Sequence, residues 1–188
     1  LVFEWLEKSV KTADSEAREK MHNASTMAGM AFANAFLGMS HSMAHKIGAV
    51  HHTVHGRTNA ILLPYVIRYN GTRPSKTTTW PKYNYWKADE KFQDIARMLG
   101  LPHSTPEEAV EAYAKAVYEL GVAVGIKMNF KDQGIDEKAW KDSLHEIALL
   151  AYEDQCSPAN PRLPMVADME EIMADAYYGY AERPGRRK

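Results

Sequence analysis

Five of the eight histidines in this 188-residue chain fall within 15 residues: His41, His45, His51, His52 and His55. Imidazole is the commonest side-chain metal ligand near neutral pH. His41 and His45 are four apart, so on a helix both rings face the same way. His55 follows a turn and can fold back towards them. A lone histidine is more often a packed or solvated side chain than a ligand. Five in one window, beside a stretch without charge, favour metal binding. His51 and His52 acquire no role from this spacing.

The elements around the cluster read as helices. Val2, Phe3, Leu6 and Val10 recur at helical spacing over residues 1–10. A polar turn follows at 11–16. One long helix is then expected from about Glu16 to about Lys46. Its small residues (Ala24, Ala28, Gly29, Ala31, Ala33, Ala35, Gly38) lie on several faces, which predicts a central, surrounded helix. Gly48 is expected to end it, and 49–56 to form a histidine-rich loop. A further helical pattern covers 57–69, with Pro64 near its start or kinking it. Residues 70–84 are loop-like, and 85–99 are helical up to Gly100. Thr105-Pro106-Glu107-Glu108 is a helix start: an N-cap Thr, a Pro at the first position and a Glu at the third. That helix runs to about Gly125. Two more cover about 136–152 and 164–178. No alternation of strand length occurs. The fold expectation is all-α, a bundle of about six or seven helices spanning residues 1–188 as one domain.

Bulk properties exclude several classes. The 23 basic and 24 acidic residues leave a formal net charge of −1, too little to collect nucleic acid or an anionic membrane. The basic end, Arg183 to Lys188, reads as a solvated tail. The 25 uncharged residues between Lys20 and Lys46 are interrupted by Asn23, Asn34, His41, His45 and several hydroxyls, so they read as a core helix and not as a membrane span. The single cysteine, Cys156, allows no internal disulfide and fits a reducing, cytoplasmic setting.

The spacing goes further. Gly38-Met39-Ser40-His41-Ser42-Met43-Ala44-His45-Lys46-Ile47-Gly48 resembles the G-x-x-H-x-x-A-H-x-x-G signature of iron-containing alcohol dehydrogenases. Val54-His55-Gly56, Asn59 to Pro64 and Tyr69-Asn70 continue it. Ala17 to Thr26, Ala31 to Gly38 and Asp154 to Arg162 look like the alcohol dehydrogenase part of the bifunctional aldehyde-alcohol dehydrogenase branch. The resemblance covers essentially the whole chain.

It implies an NAD(H)-linked enzyme interconverting acetaldehyde, or a similar short-chain aldehyde, and its primary alcohol. It implies a metal, Fe2+ with Zn2+ as the other candidate, held by one Asp and three His. His41 and His55 match two of those ligands. His45 matches a non-ligand beside the metal, near nicotinamide and substrate, that helps proton movement. Phe32 and, less closely, Cys156 match positions near the substrate cleft; core packing explains Phe32 equally well, and for Cys156 the reading as a small buried hydrophobe is favoured. The family's Asp and third ligand His occur as D-x-x-x-H on an earlier helix. That spacing is absent here, as is a Gly-rich phosphate loop. The resemblance therefore implies that an N-terminal nucleotide-binding domain lies outside this chain and that the chain alone has little activity. It also implies a homo-oligomer or filament. The competing reading is a non-catalytic helical metal-binding or filament-assembly module. One departure stands out: Val54 replaces the Pro usual before the last ligand His, which implies a slightly looser His55.

Overall fold

The computed structural model describes residues 1–74 and 86–179. The expected loop residues 75–84, the first residue of the helix expected over 85–99, and the basic tail lie outside the described residues. Among the described residues there are eight α-helices and no strand. They are α1 (Val2–Thr12), α2 (Ser15–Ala35), α3 (Met39–His51), α4 (His55–Gly71), α5 (Ala88–Met98), α6 (Pro106–Ala123), α7 (Glu137–Tyr152) and α8 (Val166–Tyr178). A short 3-10 turn, Ser157–Ala159, joins α7 to the approach of α8.

Side-chain caps fix several starts. Asp14 accepts from the Ala17 N–H at 2.9 Å and Asp136 from the Ala139 N–H at 2.9 Å. Thr105 accepts from the Glu108 N–H at 3.2 Å, as its spacing predicts. The returning Glu108 carboxylate takes the Ser104 N–H and not that of Thr105.

The long helix expected over 16–46 is corrected to two. Phe36 sits at φ 63°, ψ −176°, a conformation no helix contains, so α2 ends there and α3 starts after Gly38. This break accounts for the eighth helix. Gly48 does not stop α3 either. The helix runs on to His51, and His52 takes the left-handed terminating position at φ 54°. Gly48 serves a close approach instead: a Cβ there would meet the Thr53 carbonyl oxygen at 3.4 Å. The histidine-rich loop shrinks to His52-Thr53-Val54. Pro64 lies inside α4, where it removes one backbone bond from the ladder.

The main core lies between α3, α4, α7 and α8. Met39, Met43, Ile47, Ile61, Leu62, Ile147, Met169 and Met173 fill it. Trp140 is stacked between Phe130 and Tyr177, with centroids at 4.9 and 5.2 Å. A smaller cluster of Ile67, Val110 and Ala114 joins α4 to α6, flanked by Phe92 of α5. α1 and α2 pack on one another, and Phe3 reaches Tyr113 of α6.

The expectation of a surrounded small-residue helix fails: the small residues lie on α2 and at its end, and α3, which is packed into the core, buries Met39, Ser42, Met43, Ala44 and Ile47 instead. Only Ala17 and Ala24 of α2 are buried. From Ser25 to Phe36 no residue is buried, although none carries a charge. Met27 and Met30 are 59% and 65% exposed. Among the described residues no helix is long and apolar enough to cross a membrane.

Candidate metal centre

The site is built where α3 turns into α4. His41 and His45 occupy successive turns of α3, whose opposite face (Met39, Met43, Ile47) is locked into the core. His55 is the first residue of α4. The short turn brings its ring back over α3. The His41 and His55 centroids lie 5.3 Å apart, those of His45 and His55 5.2 Å, and those of His41 and His45 6.2 Å. Val54, in the place of the usual Pro, adopts φ −69°, the angle a proline ring would impose.

Burial lowers the pKa of His41, and the neighbouring His55 and His45 lower it further. Both effects favour the neutral ring, the form that offers a lone pair to a metal. The donor set fits a divalent first-row metal: imidazoles, half-buried at His41 and His45 and exposed at His55, with no cationic side chain bonded to the rings among the described residues.

Each of the other two rings has a support that the histidine pattern did not reveal. Asn59 Nδ2 lies 3.2 Å from His55 Nε2, and the Ser40 hydroxyl donates to Asn59 Oδ1 at 3.0 Å. His45 Nδ1 lies 3.2 Å from Asp154 Oδ2, on the loop after α7. Lys46 Nζ reaches the same oxygen at 3.0 Å, and the Cys156 N–H donates to the other carboxylate oxygen at 3.0 Å. Burial alone would raise the Asp154 carboxyl. The bonds from Cys156, Lys46 and His45 outweigh it and hold the group well below the usual carboxylate range.

His45, Asp154 and Cys156 place ligand atoms within 4.8 Å of one another, close enough to hold an ion themselves. Two features disfavour that use. Asp154 already carries the Lys46 ammonium. The Cys156 thiol is pushed up by burial and by the Asp154 carboxylate beside it, away from the thiolate that binds metal.

The remaining sequence candidates fall elsewhere. Phe32 sits near the end of α2 and is 48% exposed. Cys156 is buried beside Asp154. His51 stacks on Trp140 and bonds Ser143 Oγ at 3.0 Å. With the exposed His52 and Arg57 it lines a cavity of about 440 Å³ that contains none of His41, His45 or His55.

Residues 1–177 match the profile of the Fe-containing alcohol dehydrogenase family, C-terminal. The chain belongs to that family. It is 80% identical over all 188 residues to an aldehyde-alcohol dehydrogenase of Streptococcus pneumoniae, of which it covers 21%. It is 61% identical over 181 residues to aldehyde-alcohol dehydrogenase 2 of Entamoeba histolytica, covering 96% of this chain and 21% of that one. The solved alcohol dehydrogenase from Oenococcus oeni superposes with a TM-score of 0.79 at 31% identity, over 94% of this chain and 42% of that one. The chain thus spans about one fifth of the length of the curated relatives it matches. The matched segment has the all-helical fold expected above among the described residues.

Proposed function

We propose that this chain is the metal-bearing part of an iron-dependent, NAD(H)-linked alcohol dehydrogenase acting on acetaldehyde or a similar short-chain aldehyde and its primary alcohol. The observation that carries the reading is the convergence of three imidazoles, from α3 and the first residue of α4, inside a family-matched segment. His41 and His55 would hold the metal, Fe2+ or Zn2+. A bound metal would supply Lewis-acid polarisation of the substrate oxygen, and NAD(H) would carry the hydride.

This chain's own residues do the rest. His45 accepts or returns the substrate proton beside the nicotinamide. Phe32 and Cys156 are the proposed neighbours of the substrate cleft. The other two ligands and the nucleotide-binding domain come from sequence outside residues 1–188, so the chain alone oxidises NADH slowly or not at all. The uncharged, exposed stretch 25–36 supports a further packing surface, against the rest of the enzyme or a second copy. The buried single Cys156 suits a cytoplasmic setting.

The test is a chimera. The matching 188 residues of the Streptococcus pneumoniae enzyme are replaced by this chain, and the product is loaded with Fe(II). Ethanol-dependent reduction of NAD is expected, lost together with bound metal in His41→Ala and His55→Ala. A chimera that binds metal normally but reduces no NAD with any short alcohol overturns the enzymatic reading. It leaves a metal-binding helical module.

A further inference from the structure

We propose that Asp154 is the positioning residue of His45. It fixes the ring's rotation and places the ring proton on Nδ1, so that Nε2 is the nitrogen that exchanges a proton with substrate. The inference rests on the reading of His45 as the proton-handling group.

The geometry is specific. Asp154 Oδ2 faces His45 Nδ1 at 3.2 Å across 109 residues of chain. The carboxylate is itself immobilised. Its side chain is 8% exposed, Lys46 Nζ bonds it from the next residue of α3, and the Cys156 N–H bonds it from the loop. A carboxylate facing Nδ1 can only accept, so the neutral ring must carry its hydrogen there. Nε2 then points away from Asp154 with a free lone pair. Among the described residues nothing bonds it.

The proton balance follows. In the oxidising direction the alcohol hydroxyl gives its proton to Nε2. The carbon gives hydride, with both electrons, to NAD+, and the carbonyl forms. His45 becomes an imidazolium whose Nδ1–H remains on Asp154 and whose charge the carboxylate offsets. Reduction reverses each transfer.

The experiment has two readouts. In this 188-residue chain, 15N spectra of His45 at about pH 8, where model imidazoles are neutral, are expected to show the hydrogen on Nδ1. An Nε2–H tautomer overturns the proposal without reference to catalysis. In the Fe(II)-loaded chimera, Asp154→Asn is expected to lower kcat per bound metal about 10–100-fold, the usual cost of losing such a support. Its amide can turn either edge to Nδ1, so the tautomer is no longer fixed. Metal content and the KM for alcohol should stay within about twofold. Metal lost in step with activity would instead make Asp154 a ligand, and unchanged kcat would make it a structural residue; either result overturns the proposal. If Asp154→Asn fails to fold, Asp154→Glu replaces it, with the same split expected and the same results overturning it. An inactive parent chimera is a failure of the enzymatic reading, while the tautomer still decides the positioning of His45.

Discussion

Asn160 Oδ1 accepts the backbone N–H of Met39 at 3.2 Å, so a loop late in the chain caps the helix that carries His41 and His45. α3 has no cap of its own, because Gly38 stands at that position. The Asn160 amide also donates to Asn70 Oδ1 at 2.7 Å, tying α3 to the end of α4. A Cβ on Gly38 would meet Asn160 Oδ1 at 2.7 Å, which explains the glycine. Asn160→Ala orphans buried groups on both helices and should cost about 1–3 kcal/mol for each. Gly38→Ala should destabilise by a similar route, through displacement of Asn160. Urea denaturation checks both; a loss below about 0.5 kcal/mol for Asn160→Ala would remove it as the cap.

Asp154 should make the fold acid-sensitive in a defined direction. Its carboxyl is held below the ordinary value in the folded chain. Below about pH 4, where a free Asp begins to protonate, the unfolded chain takes up the proton first. Stability from this group is therefore complete above that pH and is lost as pH falls further. Denaturation midpoints of the wild type and Asp154→Asn should draw together as pH falls below about pH 4.

Cys156 should resist thiol reagents. It is 1% exposed and its thiol is pushed up. Alkylation by iodoacetamide at neutral pH is expected to be at least tenfold slower in the folded chain than in urea. Equal rates would place the thiol at the surface.

The exposed part of α2 should bind hydrophobic dye. Met27, Met30, Phe32 and Phe36 present apolar area with no charge nearby in sequence. Met27→Glu with Met30→Glu is expected to reduce dye fluorescence and leave unfolding stability within about 0.5 kcal/mol, as for a surface change. A larger loss of stability would mean that these side chains are packed.

The sequence made the helical class, most helix positions and the histidine convergence readable, because 3.6-residue periodicity and i,i+4 spacing are local signals. It did not make the break at Phe36 readable. A phenylalanine with positive φ has no compositional marker, and the uncharged run continues through it. The supports of the site were hidden for another reason. Asp154 and Asn160 act across more than 100 residues of chain, and no local pattern in a single sequence links Asp154 to His45; Asn59 lies at i+4 from His55 on one helix, but its bond to the ring has no compositional marker. The cap at Thr105 was readable because its whole mechanism lies within four residues.

The distance along the chain between His45 and Asp154 has a consequence during synthesis. His41, His45 and His55 precede Asp154 along the chain, and Asp154 follows His45 by 109 residues. At ribosomal rates of roughly 5–20 residues per second, that gap lasts on the order of 5–20 s. For that interval the nascent chain carries the three imidazoles without the carboxylate that faces His45. The contact between His45 and Asp154 therefore closes only after helices α4 to α7 have been synthesised.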